Sequence, residues 1–273
     1  MISFSSIKNF IIMNSIMITT SLFHYAFTSS PSSDFGSDLL IQFACSLTTN
    51  YLFLDLIESR NKNKEKIMNE KRNIIPKERF YKEFDLYMCS TTMVDSITEV
   101  IVKKYFLSEI TTTIILSDFI NFLYVSFAYE IIFDFFHYCS HYYLHKNAYM
   151  YKNFHKTHHT WTYPIPILTF YMHPIDYILT NSIPTFLTLY IFPFHISSFQ
   201  YELMHQYKTL LEISGHSGRI IKSNSFIQFI WLPRFFNIHM KVEDHDLHHT
   251  SNNCNYSKRF VLWDKVFGTR RKI

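Results

Sequence analysis

Apolar stretches of about 20 residues recur along this chain and are separated by short polar segments. A helix that crosses a bilayer needs about 20 mostly apolar residues, so several of these stretches are long enough. The three strong candidates are 9–28, 38–57 and 112–136. The three weaker ones are 86–107, 174–194 and 195–215. The pattern predicts an all-α, polytopic membrane protein with four to six spans arranged as helical hairpins.

The apolar pattern breaks at residues 58–84, which carry nine Lys or Arg. Loops on the cytosolic side of membrane proteins are enriched in these residues, so this segment is predicted to be cytosolic. We divide the chain into residues 1–111, with the N-terminal membrane hairpins and this basic loop, and residues 112–273, which carry the motifs described below. If residues 159 and 245 both lie on the cytosolic side, an even number of spans must separate them, and 174–194 with 195–215 supplies two.

Composition supports the membrane assignment and excludes other classes. The 273 residues include 28 Phe and 19 Tyr but only 4 Gly, and aromatic rings favour the membrane–water boundary. The net charge of +4 is too small to indicate a nucleic-acid-binding protein. The four cysteines form no Cys-x-x-Cys pair, which argues against a zinc ribbon or a disulfide scaffold and favours a reducing setting.

Histidines are concentrated in three groups, which we call boxes. Two boxes share the pattern His-x-x-His-His and lie about ninety residues apart, and a His-x3-His-x3-His pattern precedes them. Box 1 is His137, His141 and His145; box 2 is His155, His158 and His159; box 3 is His245, His248 and His249. Positions i, i+3 and i+4 share one face of a helix. Each box is therefore predicted to be helical and able to present two or three ring nitrogens to one point.

The number of histidines predicts two metal ions. The two His-x-x-His-His boxes together with His137 and His141 provide more ligands than one four- to six-coordinate ion can take. Imidazole suits iron, zinc, copper and nickel, and structural zinc is excluded because no cysteine belongs to the set. The chain contains no His-Glu-x-x-His, so the metalloprotease arrangement is absent. We expect two irons that activate dioxygen.

Other residues are candidates to complete the site. Glu212 and His216 are four residues apart at the end of an apolar stretch, and His216 is predicted to be a ligand. His173 precedes a proline that suits a helix start and is a possible ligand or supporting residue. Glu212 is a possible ligand, and Asp134, one turn before His137, could hold a ligand imidazole in the required tautomer.

These motifs resemble those of the membrane fatty acid hydroxylase/sterol desaturase family. Its signature of His-x3-4-His and two His-x2-His-His boxes matches His137/His141, box 2 and box 3, in that order. The C-terminal residues also look like the family's ending, with Asn253, Asn255, Tyr256, Phe260, Trp263, Asp264, Phe267, Gly268 and Thr269. The resemblance covers about residues 112–270.

The resemblance implies an integral membrane oxidoreductase of the endoplasmic reticulum with a cytosol-facing, histidine-rich di-iron centre. It further implies electrons from NAD(P)H through a b5-type cytochrome and its reductase, with dioxygen as co-substrate and a lipid as substrate. The segment from Gly215 to Gly218 looks like the C-4 methylsterol oxidases, whereas that from His173 to Asp176 looks more like the C-5 sterol desaturases. A sterol is the favoured substrate, and a fatty-acyl or sphingolipid substrate is the alternative.

Three other classes compete with a lipid oxygenase. A membrane metal transporter should place its ligands within the spans near the bilayer midplane, whereas these boxes follow the spans and are flanked by polar residues. A zinc-dependent lipid hydrolase and an inactive scaffold that retains the fold are the other two. Hydroxylation and desaturation stay equally open, because both begin with removal of a hydrogen atom from the lipid.

Overall fold

The structure is a computed structural model that describes residues 4–29, 34–67, 77–107, 116–162, 165–221 and 224–272. Its regular elements in these ranges are all helical, which confirms the predicted all-α class. Four long helices form the first half, namely α1 (Phe4–Thr28), α2 (Phe35–Asn61), α3 (Lys77–Tyr105) and α4 (Leu116–Lys146). The second half contains α5 (Ala148–Met150), α6 (Pro174–Tyr177), α7 (Ile183–Ile191), α8 (Ser198–Gly215), α9 (Leu232–Phe235), α10 (Val242–Ser251) and α11 (Leu262–Val266).

Local sequence signals explain where several helices begin and end. Asp34 caps α2 by accepting hydrogen bonds from the backbone N–H groups of Gly36 and Ser37. Ser197 and Gln200 form a reciprocal capping box at the start of α8. The last helix of the histidine region, α10, ends at Asn252, whose left-handed φ of 57° is tolerated by asparagine. Side-chain oxygens thus satisfy the backbone donors that helix starts leave free.

Two helices meet a membrane span's requirements by length and composition. They cover Ser6–Thr28, with a mean hydropathy of 1.4, and Phe35–Asn61, with a mean hydropathy of 1.3, and thus match the predictions for 9–28 and 38–57. In both, most residues of the apolar segment are not buried inside the protein. Such a surface is what lipid-facing helices present, because hydrocarbon does not penalise apolar side chains.

The other predicted spans do not meet the same requirement within the described residues. Charged side chains in α3 and α8, such as Lys103 and Glu202, lower their hydropathy. The segment 174–194 is interrupted by a π-helical turn at Ile178–Ser182, and 112–136 begins outside the described residues. A number of spans between four and six therefore stays a prediction, as does the division at residue 111.

The long helices pack against one another around a shared apolar core. Helix α2 lies along α3, α1 lies along α8, and α4 lies along α7. The core includes the fully buried side chains Met17, Phe53, Met88, Phe133, Tyr207, Leu210 and Ile213. Because α8 contacts both N-terminal helices, the end of α8 that follows Leu210 is held in a fixed position relative to α4.

A buried carboxylate attaches the C-terminal segment to α4. Asp134 is fully buried and accepts three backbone hydrogen bonds, from the N–H groups of Lys258 at 2.7 Å, Arg259 at 2.9 Å and Phe260 at 3.0 Å. Asp264 holds the preceding residues by accepting from the backbone of Tyr256 and Ser257 at 2.7 and 3.0 Å. The segment between α10 and α11 is therefore positioned by carboxylates, without regular secondary structure of its own.

Removal of the Asp134 carboxylate should destabilise the protein. Asp134→Ala leaves three buried backbone donors without an acceptor, and each such donor costs about 1–3 kcal/mol, so we expect a loss of at least about 3 kcal/mol. Thermal unfolding of the detergent-purified protein measures it. The control is Asp85→Ala, at an exposed position on α3. An unchanged melting temperature for Asp134→Ala would contradict this role.

Candidate metal centre

Nine histidines converge at one end of the helical bundle and form two clusters. They come from the end of α4, the segment after α5, the residue after α8, and α10. We call the first the five-histidine cluster, which contains His141, His145, His155, His159 and His248. We call the second the four-histidine cluster, which contains His158, His216, His245 and His249. Within each cluster, one ring nitrogen from every member lies within 4.8 Å of the others.

In the five-histidine cluster the Nε2 atoms face one another at short distances. His155 Nε2 lies 3.1 Å from His141 Nε2, 2.9 Å from His145 Nε2 and 3.0 Å from His159 Nε2. The buried Nε2 atom of His248 has no hydrogen-bond partner among the described residues. Two nitrogens held about 2.1 Å from one ion at ligand angles of about 90–110° lie about 3.0–3.4 Å apart. The observed distances therefore suit ligands of one ion.

The four-histidine cluster has the same geometry. His216 Nε2 lies 3.4 Å from His158 Nε2 and 3.1 Å from His245 Nε2, and His249 Nε2 lies 3.1 Å from His245 Nε2. The structure thus brings together two sets of imidazoles, each with the spacing of ligands around a metal ion. This arrangement agrees with the inference from sequence that the histidines are too many for one ion.

Boxes 2 and 3 each divide their histidines between the two clusters. His155 and His159 of box 2 lie in the five-histidine cluster, while His158 lies in the other. Box 3 does the reverse, since His245 and His249 belong to the four-histidine cluster and His248 to the five-histidine cluster. Each of these boxes thus presents two ring nitrogens to one cluster and the third to the other, within the predicted two or three at one point. The i and i+4 members share a cluster, and the i+3 member reaches the other.

Box 2 differs from the predicted helix. Tyr151–His155 form a π-helical turn, two turn residues follow, and His158–Thr160 form a 3-10 turn. The wider π turn and tighter 3-10 turn change the directions of the rings, so the regular helical spacing does not apply there. Boxes 1 and 3 are helical as predicted, because they lie in α4 and α10.

Burial keeps the imidazoles neutral and thus able to act as ligands. Burial, followed by the neighbouring imidazoles, lowers the pKa of His141, His158 and His249 well below its usual value. For His216 and His248, burial lowers the pKa to about 4 and about 3. A neutral ring protonated on Nδ1 has a lone pair on Nε2. Several such lone pairs that face one another are stabilised by a cation.

Acceptors behind the rings fix their tautomers. His141 Nδ1 donates to the carbonyl of Tyr256, and His248 Nδ1 donates to that of Cys254, both at 2.8 Å. His216 Nδ1 lies 2.9 Å from the carbonyl of Glu212. Hydrogen bonds of this kind place the proton on Nδ1 and orient Nε2 towards a metal. The segment held by Asp134 and Asp264 therefore also provides acceptors for the clusters.

One cluster ring has a carboxylate behind it. Asp176 is buried, and its Oδ2 lies 2.9 Å from His155 Nδ1. A carboxylate in this position makes the imidazole more basic and holds its orientation. Asp176 was not among the predicted site residues. It lies in the His173–Asp176 segment, where the sequence interpretation favoured His173.

The predicted candidates outside the clusters have other positions. His137 donates its Nδ1 to the carbonyl of Thr180 at 2.7 Å and lies beside the clusters, so box 1 contributes His141 and His145. His173 caps α6 by accepting from the backbone of Ile175. Asp134 accepts hydrogen bonds from backbone N–H groups of the C-terminal segment instead of holding a ligand imidazole. Glu212 forms ion pairs with Lys258 at 3.0 Å and Arg259 at 2.9 Å.

A cavity of about 440 Å³ lies against both clusters. Its wall includes His141 and His155 from one cluster, His158 and His216 from the other, and the non-cluster side chains His137, Met172, Glu212, Ser257 and Lys258. Burial lowers the pKa of the Lys258 ammonium to about 8. Sequence reasoning did not identify Lys258, because a single lysine carries no motif, and only its position beside Glu212 in the fold reveals it.

Comparisons with known proteins agree with this geometry. The fatty acid hydroxylase family model matches residues 126–269, which include all three boxes. The chain is 33% identical over 147 residues to fatty acid hydroxylase vlmA of Lecanicillium sp, covering 52% of this chain and 40% of the relative. It is 29% identical over 138 residues to Delta(7)-sterol 5(6)-desaturase ERG3A of Gibberella zeae, covering 50% and 35%.

A third relative has a different named substrate. Sphinganine C4-monooxygenase 1 of Arabidopsis thaliana is 28% identical over 145 residues, which cover 51% of each chain. The chain thus matches about half or less of the length of these relatives, whose names describe oxidation of fatty acids, sterols and sphingoid bases. No solved structure shows a significant match.

The Asp176–His155 contact gives a test of the five-histidine cluster. Asp176→Ala removes the carboxylate behind His155, and loss of such a partner weakens metal binding by about 10- to 100-fold. Chelator competition on purified protein measures this affinity. Asp176→Asn is the matched control, because its amide oxygen still accepts a hydrogen bond, and it should have a smaller effect. Equal metal affinity in the wild type and Asp176→Ala would contradict the assignment.

Proposed function

This chain belongs to the fatty acid hydroxylase family, and we propose that it is a membrane-bound di-iron oxygenase that oxidises a C–H bond of a lipid. The observation that carries this proposal is the pair of buried histidine clusters, whose facing Nε2 atoms have the spacing of metal ligands. Iron suits an all-imidazole ligand set. Two bound irons would supply the dioxygen activation that side chains alone do not provide.

The protein's own residues would hold the ions and control their surroundings. The nine histidines of the two clusters are the proposed ligands, with Asp176 and the carbonyl acceptors orienting their rings. His216 Nδ1 lies 3.1 Å from Thr169 Oγ1 as well as near the carbonyl of Glu212, so both oxygens help to orient this ring. The clusters are largely shielded from water, since His141, His155 and His248 are at most 5% exposed. Exclusion of water protects reactive species from side reactions.

Lys258 and Glu212 are suited to manage protons beside the clusters. Lys258 Nζ donates to Glu212 Oε1 at 3.0 Å and to Asn181 Oδ1 at 2.8 Å, and both charged side chains line the cavity. Oxidation of a lipid by dioxygen consumes protons as well as electrons, and it yields water with the oxidised lipid. An ammonium whose pKa is close to neutral can release and recover a proton at its Nζ atom.

The lipid would reach the clusters along α4 and α8. Between these helices lies a second cavity, lined by Tyr129 and Phe133 of α4 and by Met204 of α8. Phe133 lies one turn before His137, so this cavity lies along the same helix as the clusters. We propose a sterol as substrate, with a fatty-acyl or sphingolipid chain as the alternative, since the named relatives cover all three classes.

The electron supply and location follow from the same proposal. We propose that electrons come from NAD(P)H through a b5-type cytochrome and that the protein lies in the endoplasmic reticulum with its metal centre facing the cytosol. Exposed lysines next to the boxes, Lys146, Lys152 and Lys156, offer a positive surface to an acidic electron carrier. The two candidate spans would anchor the protein in that membrane.

The division of the boxes between clusters allows the metal sites to be tested separately. His155→Ala with His248→Ala removes two ligands of the five-histidine cluster only, so about one iron per chain should remain bound after mild chelation. His155→Ala with His158→Ala changes one box but both clusters, and should weaken retention of both irons. Metal analysis of the purified variants gives these values. Equal iron loss in both double variants would contradict the assignment.

The activity is tested by supplying lipids under labelled oxygen. Protein loaded with iron, NAD(P)H, reductase and a b5-type cytochrome should convert one of the three lipid classes in an oxygen-dependent reaction, detected by mass spectrometry. His158→Ala and His248→Ala should reduce the rate at least about 100-fold, because each removes a proposed ligand. His195→Ala, at an exposed position outside both clusters, is the control.

Other outcomes would identify the competing classes. Metal flux without lipid oxidation would indicate a transporter, and lipid hydrolysis with zinc would indicate a hydrolase. Wild-type protein that holds no stoichiometric metal under any loading condition would indicate a scaffold. Each of these results would overturn the oxygenase proposal.

A further inference from the structure

A third group of metal-ligating side chains lies between α3 and α8, apart from both histidine clusters. Asp95 and Glu99 are one turn apart on α3, and His205 faces them from α8. We call these three residues the Asp–Glu–His triad. Their exposed fractions are 8%, 1% and 6%, so the triad is buried. None of them belongs to a box or lines the cavity beside the clusters.

The ligand atoms of the triad are spaced like those of the histidine clusters. His205 Nε2 lies 3.2 Å from Asp95 Oδ1 and 3.5 Å from Glu99 Oε1. All three atoms lie within 4.8 Å of one another. Two nitrogen or oxygen ligands of one ion, each about 2.1 Å from it, have separations of about 3.0–3.4 Å. The geometry is thus close to that of a three-ligand metal site.

Tyrosine hydroxyls orient the two carboxylates. Tyr177 donates a short hydrogen bond to Asp95 Oδ1, and Tyr201 donates to Glu99 Oε1 at 2.9 Å. Hydrogen bonds to ligating carboxylates are the usual supports around a metal site. The same oxygens that approach His205 are therefore also the ones that the protein holds in place.

A bound cation is one way to balance the charges of the triad. Two ionised carboxylates and a protonated imidazole carry a net charge of about −1, which either a proton on Glu99 or a divalent cation can offset. Nearby cations have partners of their own, since Lys103 Nζ lies 2.7 Å from Glu202 Oε2 and Lys208 Nζ lies 4.0 Å from Glu212 Oε1. A divalent cation with two carboxylates and a neutral imidazole gives zero net charge.

One carboxylate oxygen of the triad is left unpaired. Glu99 Oε2 is buried and has no hydrogen-bond partner among the described residues. Buried polar atoms are nearly always paired, and exceptions often mark a missing ion or water. A cation bound through both oxygens of Glu99 would satisfy this atom.

We propose that Asp95, Glu99 and His205 bind a divalent first-row transition cation, in addition to the two ions of the histidine clusters. Carboxylate oxygens with one imidazole suit manganese, iron or zinc. Asp95 also lines a cavity together with Glu212, on the side of the triad that faces the end of α8. The bound ion would join α3 to α8, and α8 leads directly to His216 of the four-histidine cluster.

The experiment counts bound metal at saturation. The full chain in detergent is stripped of metal, equilibrated with Zn²⁺ or with Mn²⁺, freed of unbound ions and analysed by mass spectrometry. The wild type should bind about three ions per chain with at least one of these metals, and Asp95→Asn with His205→Gln should bind one fewer. Glu130→Gln is the matched control, because Glu130 is a buried carboxylate bonded to Gln228 outside the triad. It should bind as many ions as the wild type.

A second variant separates this proposal from the proposed function. His158→Ala with His248→Ala damages the two histidine clusters, and the ion that remains should disappear when the Asp95 and His205 substitutions are added. Saturation of the wild type at two ions with both metals would overturn the triad site and leave the di-iron centre intact. That measurement uses unmodified protein, so a misfolded variant cannot obscure the answer. Binding of a single ion that only the triad substitutions remove would support the triad and overturn the di-iron centre.

Discussion

The structure depends on one electrostatic constraint, which is that nine imidazoles, seven of them buried, turn ring nitrogens towards one another. Four of these rings, those of His141, His248, His216 and His155, are held from behind by the carbonyls of Tyr256, Cys254 and Glu212 or by the carboxylate of Asp176. Burial disfavours protonation of the rings, as the lowered pKa of His216 indicates. A cation can satisfy such lone pairs without forcing the rings apart, whereas water would need more room than the distances of 2.9–3.4 Å allow.

The remainder of the fold brings four chain segments to this constraint. Helices α4 and α8 carry His141 and His216 because both are long and are fixed by packing against other helices. The last segment has little regular structure after α10, and Asp134 and Asp264 hold it through backbone hydrogen bonds. Those two carboxylates therefore support the metal centre indirectly. They hold the segment whose Cys254 and Tyr256 carbonyls accept hydrogen bonds from His248 and His141.

Sequence alone predicted the helical class, two apolar helices that could span a bilayer, and the histidine boxes. It could do so because helical periodicity and ligand type are local properties, readable at His141 and His145 or at His245 and His249. The sharing of boxes 2 and 3 between clusters was not predictable, because the spacing places residues i, i+3 and i+4 on one face without showing which ring reaches which ion. The roles of Asp176, Lys258 and Asp134 depend on contacts between distant segments, and no spacing in the chain encodes them.

The reciprocal division of boxes 2 and 3 has an evolutionary consequence. Each box supplies two histidines to one cluster and one to the other, so any change that disturbs a whole box alters both ion sites together. Substitution of individual histidines can still alter one cluster alone, whereas an insertion or deletion that shifts a whole box acts on both. The interleaved arrangement thus makes the length and register of these two segments a shared requirement of both ion sites.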